Sequence, residues 1–307
     1  MVEEMVEGEE EEVLLQDSFD AFDDTILTTN PKCGTTWLKA LAFTIANHSR
    51  YDFSNHPLLT NNPHEIVPVR YLPTLEVPMG KELSYVETLP SPRLLATHMP
   101  LLLLPKSLVA NHSCRIVYIC QEPKDAFVSR WHFGNKIFRG GHEIDLEAAL
   151  NMFCEGASPY GPFWDHCLEY WRESIARPDR VLFLKYEEMM SEPVKHGVRL
   201  AVFLGVPFTG KEEDDRIPEE VVKLCSFEKL SRLQANQKGY FMRRRNLVVD
   251  MSDYFRRGKI GDWVNYTSEE MGRKLDYIVK EKLRDRTLCA PITAAISNTI
   301  DATFLFA

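Results

Sequence analysis

Lys32, Gly34, Thr35 and Thr36 stand almost side by side in "TTNPKCGTTWLKAL", residues 28–41. An ammonium, a backbone without a side chain and two hydroxyls are all groups that can approach or donate to an anion. The β-branched run "TILTT" precedes them and an amphipathic helical pattern follows, so they fall in a loop that opens a helix. Such a loop offers unpaired backbone N–H groups and the positive end of the helix dipole, which suits phosphate or sulfate. The nucleotide-triphosphatase loop G-x-x-x-x-G-K-[ST] is excluded, because here the lysine precedes the glycine. Taken alone, the same residues have a lesser reading as a turn that merely caps the helix.

Positioning such a loop takes a sheet. Short apolar runs, "TILTT", "RLLATH", "RIVYIC" and "RVLFLKY", alternate with helical patterns such as "TTWLKALAFTIANH", "KDAFVSRWHFGNKIF", "GPFWDHCLEYWRES" and "EPVKHGVRLAVFLG". This alternation predicts an α/β protein with a central parallel sheet flanked by helices. Ligands of parallel sheets gather at the carboxyl ends of the strands. The residues there are Pro31 to Thr36, His98, Gln121 to Asp125 and Tyr186. His98 is one of nine histidines; a lone histidine is more often structural, and its place just after a strand strengthens the case for chemistry without deciding it. "RIVYIC" does not end in an aspartate suited to Mg²⁺, so a metal-free anion site is expected.

Composition sets the outer bounds. At 307 residues and 44% hydrophobic, the chain can bury a substantial core. The net charge is −9, but residues 1–24 hold seven Glu and four Asp without Lys or Arg, a contribution of −11, which leaves +2 for the remainder. That acidic start lacks the basic and apolar regions of a signal peptide and is expected to be a flexible, solvated segment. Seven cysteines without C-x-x-C pairing fit reduced thiols and a cytoplasmic location. No run reaches the roughly 18 apolar residues of a membrane span, and neither nucleic acid nor membrane is expected as a partner.

"PKCGTTWLKAL", "ATHMPLLLLPKSL", "IVYICQEPKDAFVSRWHF", "YGPFWDHCLEYW", "LFLKYEEM" and "YFRRGKIGDWVNYTSEEM" occur in this order. Together they resemble the cytosolic sulfotransferases, particularly those of plants. The resemblance implies a single P-loop-NTPase-like domain over residues 25–283, between the acidic segment 1–24 and an atypical tail, 284–307. It implies 3′-phosphoadenosine 5′-phosphosulfate as donor, no metal, and a small hydroxylated acceptor such as a flavonoid, steroid or other hormone-like molecule. Lys32, Cys33, Gly34, Thr35, Thr36 and Trp37 would wrap the phosphosulfate, with Lys32 stabilising developing charge and Trp37 stacking on adenine. His98 matches the general base. Gln121, Ser129, Arg256, Arg257 and Gly258 match positions around the 3′-phosphate, and Tyr186, Cys225 and Phe227 match nucleotide-contacting positions.

Four departures stand out. Gln121 replaces an arginine of the family motif, and losing a charge-assisted bond costs about 1.5 to 3 kcal/mol. Arg130 stands where relatives carry an apolar residue, and with Arg243 to Arg245 it is a candidate source of replacement charge. Cys225 replaces a threonine. Relatives also carry several dozen more residues before the first strand, some lining the acceptor pocket. These departures keep a second reading in view, that of a weak or inactive relative that binds the nucleotide or a small molecule. Monomer and homodimer both stay open.

Overall fold

The computed structural model describes residues 24–67, 92–104, 114–139, 143–158, 160–244 and 246–284. The expectations for the acidic start and the C-terminal tail fall outside this range, apart from Asp24 and Arg284 at its two ends. Four strands, β1 (Thr25–Thr29), β2 (Leu94–Thr97), β3 (Arg115–Cys120) and β4 (Val181–Lys185), form a parallel sheet in the order β2-β1-β3-β4. The runs "TILTT" and "RIVYIC" are strands end to end.

Both faces of this sheet are covered, as a near-continuous apolar strand pattern requires. Side chains alternate across the pleat. Ile26, Leu95, Ile116 and Tyr118 enter one core, while Leu27, Ala96, Val117 and Ile119 enter the other. Full burial of each isoleucine, leucine or valine among them contributes about 1.5–3 kcal/mol. α1 (Thr35–Ala46) follows β1 and packs Leu38, Leu41 and Ile45 into the second core. α2 (Pro123–Ile137) follows β3 and packs Ala126, Phe127 and Val128 into the first. The chain therefore leaves β1 and β3 toward opposite faces, which opens a crevice at the carboxyl edge between them.

The first core is completed by α3 (Leu146–Cys154), α4 (Phe163–Ala176) and α8 (Glu269–Arg284). The second is completed by α5 (Tyr186–Ser191), α6 (Pro193–Leu204) and α7 (Ile217–Leu224). A hairpin of β5 (Tyr240–Arg244) and β6 (Leu247–Asp250), not expected from the sequence, packs on the end of α2. At the opposite edge of the sheet the buried pair Arg93 and Asp24 fastens β2 to β1, with Nη2 to Oδ2 at 2.6 Å. No helix among the described residues is long and apolar enough to cross a membrane.

Candidate active site

The loop after β1 is set by two residues in left-handed backbone conformation, Lys32 (φ 72°) and Gly34 (φ 90°). For lysine this conformation costs roughly 1–2 kcal/mol, a strain typical of functional sites. At Gly34 a Cβ would lie 2.8 Å from Cδ2 of Tyr186, so no side chain fits between the loop and α5. The amide of Cys33 donates to the carbonyl of Asn30 at 3.2 Å, closing the turn, and its thiol points down into the first core. α1 then begins with Leu38 N–H donating to the Gly34 carbonyl, so the N–H groups of its first turn have no intrahelical acceptor.

Two hydrogen-bond chains orient the loop hydroxyls. Nδ1 of His98 lies 2.8 Å from the Thr29 carbonyl oxygen, which can only accept, so Nδ1 carries the proton and neutral His98 presents a lone pair at Nε2. The same Nδ1 is 3.1 Å from Thr29 Oγ1, and Thr29 Oγ1 is 2.7 Å from Thr35 Oγ1. On the other flank, the ammonium of fully buried Lys39 donates to Nδ1 of His64 at 3.1 Å. His64 must then carry its proton at Nε2, which donates to Thr36 Oγ1 at 2.9 Å. Thr36, with its oxygen accepting from His64, keeps its own O–H as a donor.

Burial governs the titration of these groups. It lowers His98 to about 3, with Lys39, Arg130 and Lys32 pushing the same way and the Thr29 carbonyl opposing them. Burial also lowers Lys32 to about 8; Arg256 and Lys136 add to this, and Asp253 opposes it. The Lys32 ammonium lies 4.0 Å from the centre of the Phe133 ring.

The second half of the site comes from far along the chain. Phe227 packs under Gly258 (φ 61°), where a Cβ would fall 2.4 Å from the ring. Arg256 and Arg257 both approach Asp262, Arg257 at 3.7 Å. One carboxylate thus serves two guanidiniums, and Nε of Arg256 is buried without a hydrogen-bond partner among the described residues. Asp125, at the start of α2, accepts from the amides of Gly261 at 2.6 Å and Trp263 at 3.0 Å. It draws the arginine turn to the end of β3. Arg256 lies near enough to shift the titration of both Lys32 and Asp125.

The positions read from sequence therefore divide. Lys32 to Trp37, His98, Gln121 and Tyr186 share the carboxyl edge of the sheet, and Gln121 directs its backbone N–H at the Cys33 sulfur. Trp37 meets Tyr186 edge-on, with ring centres 5.4 Å apart. Ser129 is half-buried, one turn beyond Asp125 on α2. Phe227 and Arg256 to Gly258 form the second cluster. The Cys225 thiol is fully buried and bonded to Thr44 at 3.3 Å, so its side chain turns inward. Thr29, Lys39 and His64 were not singled out from sequence as site residues, although Asn62, Pro63 and Glu65 form a readable capping box beside His64, and Asp125 was read only as the last of the residues following β3, without its tie to the arginine turn.

A donor-rich loop beside a neutral histidine, facing a turn with two arginines, can bind a multiply charged anion and accept a proton from a nucleophile. The family model for the sulfotransferase domain matches residues 22–287. This chain belongs to the sulfotransferase family. The sulfotransferase is 44% identical over 291 residues to cytosolic sulfotransferase 16 of Arabidopsis thaliana, covering 91% of this chain and 83% of the relative. It is 42% identical over 273 residues to flavonol 4′-sulfotransferase of Flaveria chlorifolia, covering 88% and 82%. The fold of this sulfotransferase is similar to that of a mouse sulfotransferase complexed with PAP, with a TM-score of 0.68, 25% identity and coverage of 95% and 94%. Among its described residues, no group of three or more His, Cys, Asp or Glu side chains could hold a metal ion.

Proposed function

We propose that this sulfotransferase moves a sulfuryl group from 3′-phosphoadenosine 5′-phosphosulfate to a hydroxyl of a small flavonoid-, steroid- or hormone-like molecule, with His98 as general base. The observation that carries the reading is the Nδ1 bond from His98 to the Thr29 carbonyl, which leaves Nε2 as the proton acceptor beside the anion loop. The residues present fit the donor. The first-turn amides of α1, the Thr35 and Thr36 hydroxyls and Lys32 suit the 5′ end, and Arg256, Arg257, Ser129 and Gln121 suit the 3′-phosphate. Buried Arg256 Nε without a partner supports an anion there.

When bound, the donor supplies an activated sulfuryl group whose departure leaves charge on the bridging oxygen. Lys32 and the loop donors would stabilise that charge, which is the electrostatic part of catalysis. His98 Nε2 would take the acceptor's proton as its oxygen attacks, and Thr29 would hold the imidazole in position. Trp37, Tyr186 and Phe227 supply ring surfaces for the purine side. Residence in the cytoplasm belongs to the same proposal, supported by the relatives' names.

Transfer of labelled sulfate from the donor to a panel of phenols, flavonols and steroids tests this reading, with His98→Ala as control. Turnover by the wild type and its loss in the variant are expected. Wild-type protein that binds 3′,5′-adenosine bisphosphate yet modifies nothing would overturn it.

A further inference from the structure

Arg130, in the middle of α2, has a half-buried side chain. Nη1 donates to Asn30 Oδ1 at 3.3 Å and Nη2 to Ser158 Oγ at 2.5 Å. Both acceptors are neutral. By contrast, Arg93 pairs with Asp24, and Arg256 pairs with Asp262. Among the described residues, no carboxylate pairs with Arg130; the groups bearing on its charge are Cys33 and Tyr160. A guanidinium partly withdrawn from water without an anion is costly, and three of its five N–H donors are not used by these two bonds.

The position of this cation gives its partner. Asn30 directly follows Thr29, the residue that holds His98. Tyr160, two residues beyond Ser158, places its ring centre 5.5 Å from that of His98. Arg130 influences both His98 and His166, and His166 Nε2–H donates to the His98 carbonyl at 3.0 Å. The guanidinium thus belongs to the wall on the Tyr160 side of His98. The Lys32 ammonium lies instead over Phe133 and Tyr254.

We propose that Arg130 is a specificity-determining residue that selects acceptors carrying an anionic group, such as a carboxylate, in addition to the hydroxyl that reacts. The inference rests on the reading of His98 as the base that receives the acceptor. A planar guanidinium held from two sides by neutral groups is arranged to meet a carboxylate in two-point fashion. The reacting hydroxyl would then be fixed in orientation as well as bound.

A matched pair of acceptors separates this role from others: p-hydroxyphenylacetate and its uncharged methyl ester. Two quantities are measured for wild type, Arg130→Leu and Arg130→Lys. They are kcat/KM for labelled sulfate transfer and equilibrium binding of each acceptor to protein saturated with 3′,5′-adenosine bisphosphate. The wild type is expected to favour the acid over the ester. That ratio should fall by about tenfold or more in Arg130→Leu and recover in part in Arg130→Lys. A wild type that favours the ester overturns the proposal, as does an equal loss on both acceptors, which would assign Arg130 to the donor or to folding. If neither acceptor is turned over but acid-selective binding is seen and disappears in Arg130→Leu, the selectivity stands and the enzymatic reading fails. If Arg130→Leu does not fold, the wild-type acid-to-ester ratio decides alone.

Discussion

His98, just beyond β2, is tied to Thr29, the last residue of the neighbouring strand β1, by an Nδ1 bond of 2.8 Å to its carbonyl oxygen. The tie crosses two strands paired in parallel register, Thr28 beside Thr97, so the imidazole inherits the rigidity of the sheet. It also fixes which nitrogen can take a proton.

The acid side of the pH profile follows from this environment. His98 is lowered to about 3. A lowered histidine stays neutral as pH falls, so the base form persists far below the usual range. The kcat/KM for sulfate transfer should be flat between about pH 5 and pH 7, with no limb near the unperturbed value of roughly 6.5. A midpoint near that value would show that the imidazole is not in the surroundings described.

The alkaline side belongs to Lys32, lowered to about 8. Only the protonated amine attracts an anion, so affinity for 3′,5′-adenosine bisphosphate should weaken as pH rises from about 7 to 9. Lys32→Arg keeps its charge over this range and should bind with little pH dependence. Titration calorimetry at three pH values distinguishes the two profiles.

Lys39 and His64 act on the loop after β1 through Thr36. Lys39→Met frees His64 to adopt the other tautomer, and Thr36 then loses its enforced role as a donor to the ligand. Bisphosphate affinity should drop about tenfold, comparable to the effect of Thr36→Val. The double variant should lose much less than the product of the two, because both changes break one chain. Additive losses would mean that Lys39 supports α1 by packing alone.

Gln121 directly follows β3 at the carboxyl edge of the sheet. Restoring a guanidinium with Gln121→Arg should tighten bisphosphate binding by about tenfold or more. No gain would remove the reading of Gln121 as a lost phosphate contact, and would point to Arg256 and Arg257 as sufficient.

The sheet and its main helices were legible because β-branched runs and helical periodicity changed over sharply, as at Asn30 to Gly34. The β5–β6 hairpin was not, since Arg243, Arg244 and Arg245 obscure the alternation of "YFMRRRNLVVD". Lys39 reads as an ordinary surface lysine on an amphipathic helix, yet it is fully buried. Its partner His64 lies 25 residues away, and only tertiary packing brings the two together. Cys225 shows the reverse case, a position matched by motif whose thiol packs against Thr44.

The bonds from Asp125 to the Gly261 and Trp263 amides span 136 and 138 residues of chain. Closing contacts of such separation costs loop entropy that local contacts do not, and here they join the turn to the start of α2. The arginine turn is expected to open locally while the rest of the domain stays native. Amide hydrogen exchange in residues 256–263 would read that opening directly, and a nucleotide gripped by the turn would slow it, coupling ligand affinity to the stability of one small foldon.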